Sequence, residues 1–298
     1  MRPLDWAEIE GWETEDHAAA WAAFSVTADL FGWAGPTPAP GAEKALFQRF
    51  FAPFEIVPAG AAHYTGYYEP ELEAARAPDA RFCAPLYGPP EGVEPGALWH
   101  SRAEIVAGDL LRGREIAYVE SALEAFLAQV QGSVRLRLVE GGCLRLGFAG
   151  KNGHPYRSIG AELIRRGVAP AGEMTPERIR LWAAENPGEV AGLLAHNPSF
   201  VYFRVLDLPA DQGPLGAMGR PVTPGRSLAV DPEIVPLGSP VWVECPGVAP
   251  GLRIAQDIGS AIKGPGRGDL FFGSGPEAGR KAGAVNHAGR MIVLRRVA

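Results

Sequence analysis

Residues 257–269 have the sequence DIGSAIKGPGRGD, a glycine-rich connection with an aspartate at each end. An apolar run that ends near Asp257 precedes it, and the apolar run Leu270–Phe272 follows Asp269. Short apolar runs bounded by glycine and proline turns are typical of strands, so this connection is predicted to join two strands. A tight connection of this kind can bring both carboxylates to one rim of a barrel. Carboxyl groups that lie close together, or against apolar walls, do not all ionise, and one then holds a proton near neutral pH.

A carboxyl that holds its proton suits the cleavage of a glycosidic bond, because the leaving oxygen must gain a proton. A third aspartate, Asp231, lies in the same region just before Pro232. The competing interpretation is that all three are turn residues, since aspartate accepts hydrogen bonds from its own turn. Sequence statistics alone favour the turn interpretation, and both stay open at this point. Gly259 to Gly264 has the spacing of a phosphate-binding loop, but Pro265 stands where that motif needs lysine.

The strand and helix patterns suggest a barrel interrupted by a second domain. The region from about Phe200 to the C-terminus consists of short apolar runs between glycine and proline turns, a texture typical of a small barrel. Alternating residues at 63–68 predict another strand, and the region between mixes helices and strands. The more specific predictions are helices over 16–31, 42–52 and 158–166, a capping box at 101–104, a helical stripe from 116 to 130, and a hairpin of strands 134–139 and 144–148.

Composition excludes several classes of function. With 28 Lys+Arg against 34 Asp+Glu, the net charge is −6 and the pI is about 5.6, which argues against nucleic acid as a partner. No apolar run approaches the roughly 20 residues of a membrane span. The three cysteines and six histidines show no metal-ligand spacing, so we expect no metal site and no cofactor. The first six residues contain no apolar core of a signal peptide.

Two polar segments are candidates for substrate binding. Residues 64–70 place three tyrosines around Gly66, and aromatic faces with hydroxyl groups are suited to holding sugar rings. The alternative is packing of aromatic side chains between neighbouring strands. Residues 151–158, with the sequence KNGHPYRS, form a polar loop between the predicted hairpin and the next helix, and polar loops carry function more often than cores do.

These segments together resemble the membrane-bound lytic murein transglycosylase A family over roughly residues 60–298. The matching segments are TGYY (65–68), SRAEI (101–105), VQGS (130–133), AGKNGHPYRSIG (149–160), NPSFV (197–201) and residues 257–279. The resemblance implies a mainly β fold with helices, in which a double-psi β-barrel is interrupted by a second β-rich domain and a groove between them holds a glycan strand. It places the barrel domain at 1–72 plus 200–298, with the N-terminal helices, and the inserted glycan-binding domain at 73–199.

The resemblance also implies an activity and a set of site residues. The expected enzyme is a peptidoglycan lytic exotransglycosylase that cleaves the β-1,4 bond between N-acetylmuramic acid and N-acetylglucosamine and leaves a 1,6-anhydromuramic acid end. Asp269 matches the single catalytic acid of the family, and Asp257 matches its neighbouring aspartate. The predicted substrate-binding residues are Thr65, Gly66, Tyr67, Gln131, Ser133, Lys151, Asn152 and Lys263. The sequence departs from the family pattern at Glu69, where a neutral residue is usual, and in an Asp257–Asp269 spacing that is one residue longer.

Two other classes of function compete with this interpretation. One is an inverting glycoside hydrolase that uses both aspartates as acid and base. The other is a non-catalytic module that binds cell-wall glycans, because a fold alone does not decide a function. Under the family interpretation the partner is the peptidoglycan glycan strand, the protein is a monomer, and it works in the periplasm in association with the outer membrane. Membrane attachment would then depend on an N-terminal lipid for which this sequence has no acceptor cysteine, so we expect a removed or misassigned N-terminus.

Overall fold

The computed structural model describes residues 1–57, 60–94, 96–209 and 211–297. Its strands are β1 (Arg2–Pro3), β2 (Phe51–Ile56), β3 (Ala62–Glu69), β4 (Glu71–Ala74), β5 (Ala84–Tyr87), β6 (Glu115–Val119), β7 (Ser133–Leu138), β8 (Cys143–Lys151), β9 (Val201–Leu206), β10 (Ser227–Val230), β11 (Pro240–Cys245), β12 (Val248–Asp257), β13 (Arg267–Ser274) and β14 (Asn286–Arg296). Its α-helices are α1 (His17–Ser25), α2 (Glu43–Phe50), α3 (Arg102–Ala107), α4 (Ala122–Gln131), α5 (Ile159–Arg165), α6 (Pro176–Glu185), α7 (Val190–Ala195) and α8 (Gly275–Gly283).

The chain divides into a barrel unit, Met1–Tyr68 with Pro209–Ala298, and an inserted unit, Glu69–Leu208. In the barrel unit six strands follow one another as β14, β11, β12, β10, β13 and β3, and β3 pairs back with β14 to close the ring. Strands β10 and β12 run parallel, whereas β11–β12, β11–β14 and β10–β13 are antiparallel. Closure removes exposed strand edges from the ring. The predicted fold class, a mainly β structure with a barrel and a second β-rich domain, is confirmed.

Alternation along the barrel strands separates two hydrophobic clusters. Val241 and Val243 on β11 belong to the cluster inside the barrel, with Tyr64 and Met291. Trp242, between those two valines, faces the opposite cluster, where α1 and α2 cover the barrel with aromatic side chains. Each fully buried side chain of this size contributes about 1.5–3 kcal/mol to stability, so both faces of the sheet support the ring.

The inserted unit contains the four-stranded sheet β4-β7-β8-β9 and the pair β5-β6. Glu69 lies at the start of this unit, fully buried, and its carboxylate is paired with Arg135 at 2.6 Å and with Arg145 at 3.0 Å. The departure from the family pattern at Glu69 is therefore part of a buried ion-pair cluster in this unit.

Most local predictions are confirmed, and two are wrong. The capping box at Ser101 is present, and the predicted hairpin is the β7–β8 pair. The stripe from 116 to 130 is not one helix, because residues 115–119 form β6 and pair with β5. The helix begins only after Ser121, whose side chain accepts the backbone N–H of Glu124. Similarly, the helix predicted over 16–31 ends at Ser25.

Within the described residues, none of the helices combines the length and the apolar character needed to cross a membrane.

Candidate functional site

Two strand pairings bring Asp257 and Asp269 to the same level of the barrel. Ala229 on β10 is paired with Asp257 on β12 at one side and with Asp269 on β13 at the other, after a register irregularity between Leu228 and Ala229. Residues that stand opposite each other on neighbouring strands point to the same face of a sheet. The two aspartates therefore flank Ala229 on one face, two strand spacings apart, which is about 10 Å between their Cα atoms.

Strand β3 supplies one hydroxyl group to each aspartate. The Thr65 hydroxyl donates to Oδ1 of Asp269 at 2.5 Å, and the Tyr67 hydroxyl donates to Oδ2 of Asp257 at 2.9 Å. Thr65 and Tyr67 are two residues apart, so they share one face of the strand. The Tyr67 ring also packs against Phe271, with 5.1 Å between ring centroids. Because side chains at 63–68 alternate between the two faces of the strand, both hydroxyl groups point towards the carboxyls.

Asp269 has one oxygen held by the protein and one that is not. Oδ1 accepts the Thr65 hydrogen bond, whereas Oδ2 has no hydrogen-bond partner in the part of the chain that the structure describes. The side chain keeps partial solvent access, yet loss of hydration raises the pKa of Asp269 above its usual value. The Thr65 hydrogen bond and the charges of Arg267 and His63 oppose that rise.

The carboxyl of Asp257 is held at both oxygens. Oδ1 accepts the backbone N–H groups of Ile258 at 2.9 Å and Ala217 at 3.0 Å, and Oδ2 accepts the Tyr67 hydroxyl. Burial raises the pKa of Asp257 to about 6; the three hydrogen bonds oppose the rise, and the negative charge of Asp269 adds to it. Burial and the neighbouring Asp257 also raise the pKa of Tyr67 well above its usual value, so Tyr67 stays a donor at neutral pH.

The two carboxyls interact, so their protons leave in steps that belong to the pair rather than to either residue. Geometry distinguishes their roles. Both oxygens of Asp257 accept protein hydrogen bonds, while Oδ2 of Asp269, with no protein partner among the described residues, is available to donate a proton to a ligand or to accept one from it. This arrangement is suited to general acid and base chemistry by a single carboxyl beside a second one that tunes it.

The third aspartate, Asp231, holds the connection between the other two. It is buried, and its carboxylate accepts the backbone N–H of Gly264 at 2.8 Å, an ammonium hydrogen of Lys263 at 3.3 Å and the backbone N–H of Glu233 at 3.3 Å. The Gly264 bond is the main reason that the pKa of Asp231 is lowered. Lys263, predicted to bind substrate, is thus paired with Asp231 while its side chain stays 59% exposed.

Gly66 has a packing role in the structure. A Cβ atom at this position would lie 2.7 Å from the backbone of Ala282 on α8 and 2.8 Å from the Phe272 ring. Gly66 also faces away from Thr65 and Tyr67, because successive residues of a strand point to opposite faces. Its absent side chain lets α8 lie against β3, which gives Gly66 a packing role, and the contact with substrate stays a prediction.

The other four predicted substrate-binding residues belong to the inserted unit. Gln131 ends α4 and Ser133 begins β7, where its side chain is buried; Lys151 ends β8 and is half-buried. Asn152 lies in the interior instead. Its side-chain amide accepts the N–H of Phe200 and donates to the carbonyl groups of His100 and Pro198, all at 2.8 Å. We therefore assign Asn152 to holding the loop at 152–158 rather than to contacting a substrate.

Two further polar residues of the barrel site were not predicted from the sequence. Arg267 donates from Nη2 to the Thr65 hydroxyl oxygen at 2.7 Å, and Nε2 of His63 lies 2.8 Å from Oδ1 of Asn286. Arg267 is two residues before Asp269, and His63 is two residues before Thr65. Strand alternation was therefore the available signal for both residues.

Among the described residues no group of three or more His, Cys, Asp or Glu side chains could hold a metal ion.

Comparisons with known proteins identify the relatives of this chain. Residues 63–204 match the family model described as the MltA specific insert domain, and residues 226–295 match the 3D domain. The chain is 39% identical over 249 residues to the membrane-bound lytic murein transglycosylase A of Escherichia coli K12. That match covers 79% of this chain and 66% of the relative, just under two thirds of its length.

Solved structures extend the similarity to nearly the whole chain. A membrane-bound lytic murein transglycosylase from Agrobacterium tumefaciens superposes with a TM-score of 0.85 at 30% identity, covering 99% of this chain and 97% of that one. E. coli MltA with bound chitohexaose gives a TM-score of 0.79 at 30% identity, covering 95% and 90%. With an MltA insert domain, a 3D domain and these relatives, the chain belongs to the MltA family of lytic murein transglycosylases.

Proposed function

We propose that this protein is a lytic transglycosylase that cleaves the β-1,4 bond between N-acetylmuramic acid and N-acetylglucosamine in peptidoglycan and leaves a 1,6-anhydromuramic acid end. The observation that carries the proposal is the free Oδ2 of Asp269, on a carboxyl whose pKa is raised by burial. Membership of the family supports the reaction, and the chitohexaose in the E. coli relative supports a glycan as ligand.

The reaction needs only one carboxyl at the reacting bond. Asp269 gives its proton to the glycosidic oxygen as the bond from that oxygen to C1 of the muramic acid breaks, and positive charge develops at C1. The Asp269 carboxylate then takes the proton of the C6 hydroxyl of the same sugar while O6 bonds to C1. Because the nucleophile belongs to the substrate, no second carboxylate is needed to activate water, in contrast to an inverting hydrolase.

Asp257 has a tuning role in this proposal. Its carboxylate is held by three hydrogen bonds, so it has no free oxygen with which to activate water. Whenever Asp257 is ionised, its negative charge favours the protonated form of a neighbouring carboxyl. Thr65 fixes the orientation of the Asp269 carboxyl through Oδ1, which leaves Oδ2 for the substrate.

The proposed substrate contacts follow from the site. Thr65 and Tyr67 belong to the barrel site, and Lys263 presents an exposed ammonium group on the loop between the two aspartates. For the inserted unit we propose Gln131, Ser133 and Lys151. Alanine variants of these three residues should weaken binding of glycan chains without changing the pH dependence of cleavage, because they lie outside the carboxyl pair.

The products decide between the competing reactions. Purified sacculi are digested in ¹⁸O-labelled water and the fragments are analysed by mass spectrometry. We expect anhydro-ended fragments without label, and Asp269→Asn should lower the rate by about 10²–10⁴-fold, the usual contribution of a general acid. Labelled reducing ends would show hydrolysis instead, and binding to sacculi with no released fragments would indicate a glycan-binding module.

The length distribution of early fragments tests the exo mode, because exo cleavage releases disaccharides from the start.

Asp257→Asn is the matched control for Asp269→Asn. Asp257→Asn should keep measurable activity, since in this mechanism Asp257 transfers no proton. Equal loss of activity in the Asp257 and Asp269 variants, with both variants folded, would favour a two-carboxylate hydrolase over the proposed reaction.

A further inference from the structure

Two consecutive hydrogen bonds connect Arg267 to Asp269 through the hydroxyl group of Thr65. Its Nη2 donates to the Thr65 hydroxyl oxygen at 2.7 Å, and that hydroxyl donates to Oδ1 of Asp269 at 2.5 Å. Nη1 of Arg267 donates to the carbonyl groups of His63 at 3.3 Å and of Gly268 at 2.5 Å. The guanidinium is therefore fixed by backbone groups on both strands that carry the site.

The donor and acceptor roles along this chain follow from the chemistry of the groups. A guanidinium only donates hydrogen bonds, so the Thr65 oxygen must act as an acceptor towards Arg267. The hydroxyl hydrogen of Thr65 is then directed to the other close oxygen, Oδ1 of Asp269. Because Oδ1 already accepts that hydrogen bond, a proton on Asp269 is favoured on Oδ2, the oxygen that has no protein partner among the described residues.

We propose that Arg267 is a positioning residue that acts through Thr65 to orient the Asp269 carboxyl with its proton on Oδ2 and to set the pH at which that proton is lost. The proposal rests on the acid role proposed for Asp269 and adds a regulating residue to the same site.

The positive charge of Arg267 also acts on the Asp269 carboxyl in this arrangement. The two consecutive hydrogen bonds put the guanidinium within the about 4–6 Å over which an opposite charge favours the ionised form of a carboxyl. Arg267 thus opposes the effect of burial on the pKa of Asp269. The other titratable groups that face Asp269 are His63 and Tyr67 on β3 and Asp257 on β12; β10 contributes none between Ser227 and Val230.

The first test removes the charge and then restores it. Arg267→Gln should move the basic limb of the pH profile of kcat to higher pH by about 1 unit, the lower end of the effect of an adjacent opposite charge. Arg267→Lys should keep the limb near its wild-type position. Arg280→Gln, which removes an exposed charge from the same unit, should leave the profile unchanged because solvent and salt screen such a charge.

The second test is a double-mutant cycle on kcat at acidic pH, where Asp269 is protonated in every variant. Thr65→Val removes the hydroxyl and should lower kcat about 2- to 12-fold, as expected for a hydrogen bond to a neutral group, while Thr65→Ser should keep most of the activity. In the Thr65→Val background, Arg267→Gln should cause little further loss, because its path to Asp269 is already broken. Additive losses would overturn the proposal.

A carboxyl titration by ¹³C NMR tests the role of Arg267 independently of the cleavage reaction proposed above. The Asp269 signal, assigned by its absence in Asp269→Asn, should titrate at higher pH in folded Arg267→Gln protein than in wild type. An unchanged titration overturns the role of Arg267, whatever the reaction is. An Asp269→Asn variant that still cleaves glycan overturns the acid role instead, even where the titration moves as expected.

Discussion

Replacing Asp257 by asparagine is expected to make the folded protein progressively more stable, relative to the wild type, as pH rises from acidic to neutral. Burial raises the pKa of this carboxyl from 3.8 to about 6 in the folded protein. Between those two values the unfolded chain carries an ionised Asp257 while the folded protein still binds the proton. The folded state then holds more protons, so wild-type stability falls as pH rises through this window. Asparagine carries no charge, so the variant lacks this loss.

The magnitude follows from the size of the shift. One pKa unit is about 1.36 kcal/mol, so the rise from 3.8 to about 6 costs the wild type about 3 kcal/mol once both states are ionised. About 2 kcal/mol of this cost appears between pH 4.5 and pH 7.5, because part of it is already present at the lower pH. The altered hydrogen bond between Tyr67 and the new amide adds an offset at every pH, which cancels when the two pH values are compared.

Urea unfolding at pH 4.5 and pH 7.5 measures the effect, with the stability of Asp257→Asn minus that of wild type as the quantity of interest. This difference should grow by about 2 kcal/mol from the lower to the higher pH. Asp231→Asn is the matched control with the opposite sign. The pKa of Asp231 is lowered in the fold, so the wild type gains stability from it as pH rises, and that variant should become relatively less stable. A pH-independent difference for Asp257→Asn would refute the assignment of a buried, proton-binding carboxyl.

Local patterns predicted much of the site, because its strand residues obey a period of two. The alternation at 63–68 places Thr65 and Tyr67 on one face of β3, and the structure brings both to the aspartates. The aspartates themselves were predicted at the ends of apolar runs. What the sequence did not show is that Asp257 and Asp269 meet at Ala229, because that depends on one parallel and one antiparallel pairing.

Distant partners set roles that a local signal does not show. Gly66 is predicted to contact substrate, and its packing role depends on α8, more than 200 residues later in the chain. Asn152 lies in a polar loop, yet its amide bonds backbone groups near residues 100 and 200. The apolar residues from 116 to 130 fit a helix locally, and only pairing with β5 makes the first of them a strand. A single sequence carries no record of these partners.

Three further predictions concern stability and pH. Glu69→Ala should cost about 3–5 kcal/mol in the free energy of unfolding, because it leaves two arginines without their buried carboxylate, whereas Glu73→Ala at a more exposed ion pair should cost about 1 kcal/mol or less. Gly66→Ala should cost about 1–3 kcal/mol through overpacking against α8, and Gly172→Ala, which has open space around it, should cost much less. Cleavage of soluble glycan chains should slow as pH rises through the raised pKa of Asp269, because the form that donates the proton is lost there. In the proposed reaction Asp269 must start protonated, so kcat/KM should fall about tenfold for each pH unit on that limb. A rate that keeps rising to pH 8 would mean that the ionised carboxylate is the active form, as in base-assisted attack by water, and would contradict the single-acid reaction.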